Sequence, residues 1–259
     1  LVDQGFRVGL NLMQISDRSH AEVRDLARMA TDSPVEVLYF ADSMGGMYPD
    51  DVSRIIGWIR EEWSGPVGVH THDNMGMALQ NTLRAVAEGA TWLDSTVTGM
   101  GRGPGNARTE EVVIEAEAMR HRKANLVPLM TLIRKHFKPM KDACGWGSNP
   151  YYYLTGKYGI HPTYVQEMLG DPRYGDEDVL AVIEQLRLEG GKKFNSDRMN
   201  DARNFYSGPP RGTWAPAEMM AGRDLLILGS GPGVAEHRPA LEAYIRKERP
   251  LVLALNTQS

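Results

Sequence analysis

The first 125 residues alternate between short apolar segments and longer amphipathic ones, and this alternation constrains the fold more than any other feature. Runs rich in β-branched and aromatic residues predict strands, and apolar residues at helical spacing predict the helices between them. The predicted strands are Phe6–Met13, Val35–Ala41, Val67–His72 and Trp92–Val97, and the predicted helices are His20–Ala30, Asp50–Trp63, Met77–Glu88 and Arg108–Arg122. Four consecutive strand–helix units predict an α/β fold with a parallel sheet.

Polar residues occur at or just after the carboxyl ends of these predicted strands. They form the groups Asp42-Ser43, His72-Asp73-Asn74 and Thr98-Gly99. A doubly wound sheet and a TIM (β/α)8 barrel both contain alternating strands and helices, but barrel enzymes place their chemistry at the carboxyl ends of the strands. The position of the polar groups therefore favours the barrel.

The third predicted strand carries two histidines, in the sequence Val67-Gly-Val-His-Thr-His-Asp-Asn74. Side chains alternate across a strand, so His70 and His72 share one face with Gly68. Two imidazoles on one face can both reach a divalent ion at the metal–nitrogen distance of about 2 Å. The alternative is a pair of buried, neutral and hydrogen-bonded histidines.

A loop with four glycines at alternate positions follows the fourth strand, reading Gly99-Met-Gly-Arg-Gly-Pro-Gly-Asn106. Glycines let backbone approach a ligand or a metal without obstruction by Cβ atoms. The side-chain oxygen of Asn106 is then a candidate to complete a metal shell. A phosphate cradle or a flexible connector are the alternatives, because glycine spacing alone is weak evidence.

These histidines, the segment Ala41-Asp-Ser-Met-Gly-Gly46 and the glycine loop resemble, in order and spacing, the second half of the DRE-TIM metallolyases. That group includes 4-hydroxy-2-oxovalerate aldolase, HMG-CoA lyase and isopropylmalate synthase. The likeness is closest to the aldolases and runs through most of residues 6 to 140. It implies that the chain starts near the fourth strand of the barrel.

The resemblance also implies roles for individual side chains. His70 and His72 would bind a divalent metal, with Asn106 as a further ligand in the lyase branch. Asp42 would support the site or contact the substrate. A tyrosine after the barrel donates a proton in the aldolases, and Tyr152, in the cluster Tyr151-Tyr-Tyr153, is the candidate here. The mixture of nitrogen and oxygen ligands suits Mn, Mg or Zn.

One part of the family pattern is missing from this sequence. The aldolases carry an Arg-Asp-Gly motif on the first barrel strand, which supplies a metal ligand and an arginine, and a histidine base lies close to it. No such motif precedes residue 10, the chain does not begin with Met, and both ends run into apolar segments. We therefore expect both ends to be cut, and this polypeptide to be inactive unless the first half of the barrel is supplied.

The sequence predicts four regions in total. They are the second half of the barrel (1–125), a helical segment (126–206) that includes Val127–His136, Thr163–Leu169 and Asp176–Glu189, a linker (207–223), and the start of a Rossmann-like unit (224–259). A comparable helical segment makes oligomer or partner contacts in the aldolases, although a packing role is the alternative here. We expect a homo-oligomer.

The last region has an apolar strand, a glycine-rich turn and the helix Arg238–Lys247. Its candidate cofactor-binding residues are Gly229, Ser230, Gly231 and Gly233. Val234 breaks the GxGxxG fingerprint, and the next strand ends in Asn256 rather than in an acidic residue that would bind a ribose. A phosphate or nucleotide at the helix N-terminus is therefore predicted in preference to NAD.

Charge and cysteine content exclude several classes of partner. A net charge of -4 and scattered basic residues argue against nucleic acid binding. No apolar run is long enough to span a membrane. Cys144 is the only cysteine and no signal peptide is visible, which predicts a cytoplasmic location.

Three functions fit these observations. The first is a divalent-metal-dependent aldolase-type lyase that cleaves or forms a 4-hydroxy-2-oxo acid through a pyruvate enolate. The second is an acyl-CoA-dependent synthase of the isopropylmalate type, against which the loop sequence Arg102-Gly-Pro-Gly-Asn106 argues, because that family usually has glutamate and arginine before its glycine-asparagine pair. The third is a noncatalytic or nucleotide-binding scaffold. For the first we expect a small 2-oxo acid as substrate.

Overall fold

The computed structural model describes residues 1–121, 123–195, 220–229 and 232–254. The chain divides into two compact units, Leu1–Ser207 and Gly208–Ser259. Most of the predicted linker lies outside the described residues. Within the described ranges, no helix is both long enough and apolar enough to cross a membrane.

The first unit begins with four strand–helix units, as predicted, whose strands form one parallel sheet in the order β1-β2-β3-β4. The strands are β1 (Gly9–Leu12), β2 (Val37–Asp42), β3 (Val67–Thr71) and β4 (Trp92–Leu93). Each is followed by a helix, namely α1 (His20–Thr31), α2 (Pro49–Arg60), α3 (Ala78–Ala87) and α4 (Thr109–Arg120). The chain thus forms part of an α/β barrel.

Strand alternation gives the sheet two different faces. Leu12, Phe40, Val69 and Leu93 lie side by side in one row and pack against the helices. The core beneath that row also contains Val23, Ala27, Ile55, Ile56, Ile59 and Ala85. The opposite face carries the row Asn11, Tyr39, Gly68 and Trp92, with His70 one step further along β3. This second face leads to the predicted metal ligands.

The fourth strand is shorter than predicted. Trp92–Val97 was the expected range, but the pairing with β3 ends at Leu93. The Thr96 amide donates instead to the Ala107 carbonyl (3.0 Å), and the Thr109 amide donates to the Thr96 carbonyl (2.9 Å). The backbone after β4 therefore pairs with the end of the glycine loop rather than with another strand.

The helical segment after residue 126 was predicted, including its helices Thr163–Leu169 and Asp176–Glu189. The range Val127–His136, expected as one helix, is divided, and two further helices before Thr163 were not predicted. The segment contains α5 (Val127–Leu132), a π-helical turn (Ile133–Phe137), α6 (Lys138–Cys144), α7 (Pro150–Tyr158), α8 (Thr163–Leu169) and α9 (Asp176–Glu189). Helices α7 to α9 enclose a second core, built from Tyr152, Ile160, Tyr164, Val165, Met168, Val179, Val182, Ile183 and Leu186. By contrast, α5 and α6 bury none of their residues.

The second unit is small. In its described residues the elements are β5 (Leu225–Leu228), α10 (Pro232–Glu236), α11 (Arg238–Glu248) and β6 (Leu251–Ala254), and the two strands pair in parallel. One crossover of this kind is compatible with a Rossmann-like unit, which stays a prediction. Gly229 and Gly233 have open space where a Cβ would stand, and Ser230 and Gly231 lie outside the described residues.

Candidate active site

His70 in β3 and His72, just after it, lie together, each held at its Nδ1 atom. The third strand was predicted to include His72, but it ends at Thr71. His70 Nδ1 is 3.0 Å from the Oδ2 atom of Asp94, and His72 Nδ1 donates to the backbone carbonyl of Asp42 at 2.8 Å. Their ring centroids are 4.9 Å apart, with an angle of 82° between the planes. With both Nδ1 atoms engaged in this way, both Nε2 atoms are left as ligand nitrogens.

The environment of His72 favours its neutral form. Burial lowers its pKa, and the positive charges of His70 and Arg102 lower it further, whereas the hydrogen bond to the Asp42 carbonyl acts in the opposite direction. A metal binds the neutral imidazole. His72 is therefore ready to bind a cation at neutral pH.

Asn106 reaches the same place from the glycine loop, where its backbone forms an antiparallel bridge with His72. Its Nδ2 atom donates to the Met100 carbonyl at 3.1 Å, which directs the Oδ1 atom away from the loop. That Oδ1 atom is buried and has no hydrogen-bond partner. A side chain at Gly101 would overlap the Asn106 amide, so the loop needs glycine there.

These residues fit a divalent cation. Two imidazole nitrogens and one amide oxygen form a mixed donor set, and a bound ion would satisfy the unpartnered Oδ1 atom. In the part of the chain that the structure describes, no group of three or more His, Cys, Asp or Glu side chains is arranged to hold a metal. The amide oxygen of Asn106 is the candidate for a third donor.

Asp42 supports the site through its backbone. Its side chain lies on the sheet face opposite His70 and is fully buried, with its carboxylate accepting from the amides of Gly46 (3.1 Å) and Met47 (3.2 Å). Burial raises the pKa of Asp42 to about 6, although these hydrogen bonds oppose the rise. The carboxylate therefore shapes the loop after β2, and the carbonyl orients His72.

Tyr152 is the tyrosine of its cluster that meets the glycine loop. It is 4% exposed, whereas Tyr153 is 45% exposed. A Cβ added at Gly103 would lie 3.2 Å from the Tyr152 hydroxyl oxygen. Burial raises the pKa of Tyr152 and the charge of Arg102 partly offsets this, so the hydroxyl keeps its proton at neutral pH.

Glycine contacts bring α7 against the loop that follows β2. A Cβ at Gly156 would lie 2.8 Å from the Gly45 carbonyl oxygen, and one at Gly46 would lie 2.6 Å from the Gly156 carbonyl oxygen. Nearby, the amide of Asn74 donates to the Thr155 hydroxyl at 3.0 Å. Gly156 and Tyr152 are four residues apart on one helix face, so this contact also sets the position of the tyrosine.

Sequence reasoning missed three residues near this site. Asp94 directly follows the fourth strand, just as Asp42 directly followed the second predicted strand, and that position is what indicated Asp42. Burial and the charge of Asp94 together raise the pKa of Tyr39 to about 12. Arg102 was identified only as a member of the glycine loop and was given no role of its own. His161 lies between α7 and α8, and its sequence context gave no signal at all.

Comparison with known proteins shows the family of this chain. A sequence model of the HMGL-like family matches residues 3–134, which is just over half of the chain. A 4-hydroxy-2-oxovalerate aldolase from Carboxydothermus hydrogenoformans is 41% identical over 176 residues, covering 64% of this chain and 51% of that protein. The same enzyme from Brevibacillus brevis is 33% identical over 191 residues, covering 70% and 54%.

A homocitrate synthase from a Frankia strain is 39% identical over 119 residues, which cover 46% of this chain and 29% of that protein. The chain thus spans about half, or less, of the length of these curated relatives. Among solved structures, the N-terminal domain of a putative aldolase from Bacteroides vulgatus is similar, with a TM-score of 0.59 and 30% identity, over 65% of this chain and 56% of that one.

The carboxyl transferase domain of Rhizobium etli pyruvate carboxylase is similar in fold alone. Its TM-score is 0.56 at 16% identity, over 85% of this chain and 40% of that one.

Proposed function

This chain belongs to the HMGL-like family, and from that premise we propose that it carries the metal-binding part of a divalent-metal-dependent aldolase-type lyase. The proposed reaction cleaves or forms a 4-hydroxy-2-oxo acid through a pyruvate enolate. The observation that carries the proposal is the set of donors formed by His70, His72 and the unpartnered Oδ1 atom of Asn106. The likeness to curated aldolases supports it.

His70, His72 and Asn106 would hold the cation, and a bound divalent cation supplies positive charge that stabilises the negative charge developing on the 2-oxo group. The Asp42 carbonyl orients His72, and the Asp94 carboxylate orients His70, each through the Nδ1 atom of the imidazole. Tyr152 keeps its hydroxyl proton at neutral pH and is the group that would deliver it to C3 of the enolate. We assign no residue of this chain to the base that removes the 4-hydroxyl proton.

A synthase that condenses an acyl-CoA with a 2-oxo acid is the second candidate, because the homocitrate synthase is of comparable identity. Two of the aldolases match over 176 and 191 residues, and the synthase matches over 119. The longer matches favour the aldolase.

The test uses the complete gene product and measures pyruvate release from 4-hydroxy-2-oxovalerate, before and after EDTA treatment and after Mn(II) is returned. We expect release that EDTA abolishes and Mn(II) restores. His72→Ala should lose both bound metal and turnover, whereas His20→Ala, in an exposed histidine of α1, should lose neither. Consumption of acetyl-CoA without pyruvate release would favour the synthase, and the absence of both metal and turnover would favour a scaffold.

A further inference from the structure

Arg102 occupies the turn of the glycine loop between two parts of the candidate active site. On one side of it, Gly101 lies against the Asn106 amide, and on the other, Gly103 lies against the Tyr152 hydroxyl. The Gly105 amide donates to the Arg102 carbonyl at 3.3 Å, and the Gly147 amide donates to the Gly103 carbonyl at 2.9 Å, so the loop is held at both sides of the turn.

The charge of Arg102 is not neutralised within the described part of the chain. Arg102 is exposed, and no side chain of the described residues forms an ion pair or a hydrogen bond with its guanidinium group. Arg7 and Arg108, by contrast, are paired with Glu36 and Glu111. An unpaired cation beside a substrate site is a position where a ligand can supply the negative charge.

His161 adds a hydrogen-bond donor to this place. The charge of Arg102 lowers the pKa of Tyr152, of His161 and of His72. Burial and then Arg102 lower the pKa of His161, which is therefore neutral at pH 7. Its Nδ1 atom accepts from the Thr163 amide (3.4 Å), which places the proton on Nε2, where no described residue accepts it.

We propose that Arg102, assisted by His161, binds an anionic group at the aldehyde end of the substrate. This inference rests on the proposed function and narrows it to 4-hydroxy-2-oxo acids whose C4 substituent carries a carboxylate or a phosphate. The oxo acid end would be met by the histidines and Asn106, so the chain beyond C3 would extend past Tyr152, toward Arg102 and His161.

The cleavage balances without any additional reactant. The C3–C4 bond breaks and its electron pair stays with C3 as the pyruvate enolate. The 4-hydroxyl proton goes to the base, the anionic aldehyde leaves, and C3 receives a proton from the Tyr152 hydroxyl. Arg102 takes no part in these transfers and acts as a specificity-determining residue.

The experiment measures aldol condensation of pyruvate with three aldehydes, catalysed by the complete, metal-loaded gene product. Acetaldehyde and glyoxylate differ by exchange of a methyl group for a carboxylate, and glyceraldehyde 3-phosphate tests the phosphate. We expect kcat/KM for one of the anionic aldehydes to exceed that for acetaldehyde by about 10- to 100-fold, as for a charge-assisted hydrogen bond. If glyoxylate has the higher kcat/KM the site prefers a carboxylate, and if glyceraldehyde 3-phosphate has the higher kcat/KM it prefers a phosphate.

Variants then assign the preference to Arg102. Arg102→Gln should reduce the ratio of kcat/KM for the preferred anionic aldehyde to that for acetaldehyde by about 10- to 100-fold. Arg102→Lys should keep part of this ratio, because the positive charge is retained although the bidentate hydrogen-bonding geometry of the guanidinium group is lost. Arg28→Gln, in an exposed arginine of α1, should leave the ratio unchanged.

Each result decides between the two claims. Condensation with acetaldehyde but no preference for an anion overturns the inference and leaves the proposed function standing. An equal loss for all aldehydes in Arg102→Gln also overturns it, because Arg102 would then bind the pyruvate end. Failure of every aldehyde to react overturns both the proposed function and the inference.

Discussion

Asp94 shows how one carboxylate outside the proposed donor set can orient a proposed metal ligand. It is 3.0 Å from Nδ1 of His70, and it is held in turn by the Tyr39 hydroxyl. A carboxylate in this position fixes the imidazole tautomer and makes the free Nε2 atom a better ligand. His70 therefore depends on a residue 24 positions further along the chain.

We predict that Asp94→Asn weakens metal binding by about 10- to 100-fold, because the amide cannot support the imidazole as a carboxylate does. Competition titration of the purified protein with Mn(II) measures this. Asp25→Asn is the matched control, since Asp25 is exposed on α1 and pairs with Arg28. Equal Mn(II) affinity in Asp94→Asn and the unaltered protein would show that Asp94 does not act on the metal.

Asp42 makes the stability of the fold depend on pH. Its folded-state pKa is about 6, above the ordinary value near 4, because burial disfavours its charged form. Between these two values the folded state binds more protons than the unfolded state, so stability falls as pH rises. A difference of about two pKa units corresponds to at most about 3 kcal/mol.

We therefore predict that Asp42 lowers the free energy of unfolding as the pH rises from about 4 to 6.5. Urea denaturation at several pH values measures the decrease, and Asp42→Asn should remove the part of it that comes from this carboxyl. An identical pH dependence in the variant would contradict the assignment.

At the scale of elements, the structure separates two helical glycines that look alike in the sequence. Gly57 on α2 is exposed, with nothing within 4 Å of an added Cβ, whereas an added Cβ on Gly156 of α7 would meet the Gly45 carbonyl, Met75 and Asn74. Alanine is the better helix former at an open site by about 1 kcal/mol. At Gly156 the close contact outweighs that gain.

We predict that Gly57→Ala stabilises the protein by up to about 1 kcal/mol, and that Gly156→Ala destabilises it by about 1 to 3 kcal/mol, as overpacking does. Denaturant unfolding gives both values. Because Gly156 positions α7, its variant should also reduce pyruvate release more than its loss of stability explains. A stabilising effect of Gly156→Ala would show that α7 is not held by this contact.

The rotation of α7 about its own axis determines which of the three adjacent tyrosines lies on its buried face. Asn149 caps the helix by accepting from the Tyr152 amide at 2.9 Å, and Pro150 occupies the first turn. With the start of the helix set, the face that carries Gly156 against the loop after β2 also carries Tyr152. Tyr153 points outward instead.

At the scale of the whole molecule, the donor set belongs to the first unit alone. A metal that binds only the folded form stabilises it, by about 2.7 kcal/mol when its free concentration is 100 times the dissociation constant. His70, His72 and Asn106 all lie between residues 1 and 207. Metal should thus stabilise this unit.

We predict that Mn(II) raises the melting temperature of the first unit by several degrees. Calorimetry with Mn(II) and with EDTA measures this, and His72→Ala should abolish the difference. A shift of equal size in that variant would mean that the ion binds elsewhere.

The sequence by itself determined the strand–helix alternation, the pairing of His70 with His72 on one strand face, and the proximity of the glycine loop. These follow from local periodicity and from short separations along the chain, which a sequence pattern records directly. The glycine loop also indicated Asn106 as a candidate ligand, and the family resemblance added a tyrosine beyond the barrel.

Only the tertiary structure decided which residues surround those histidines. The bond from His72 to the Asp42 carbonyl spans 30 residues, and the contact of Gly156 with Gly45 spans a longer stretch still. Such contacts depend on how strands and helices pack, and a backbone carbonyl or a glycine in contact leaves no periodic signal in the chain. The sequence did not indicate Arg102 and His161 for the same reason. The role of a polar or charged side chain depends on the residues that folding brings next to it.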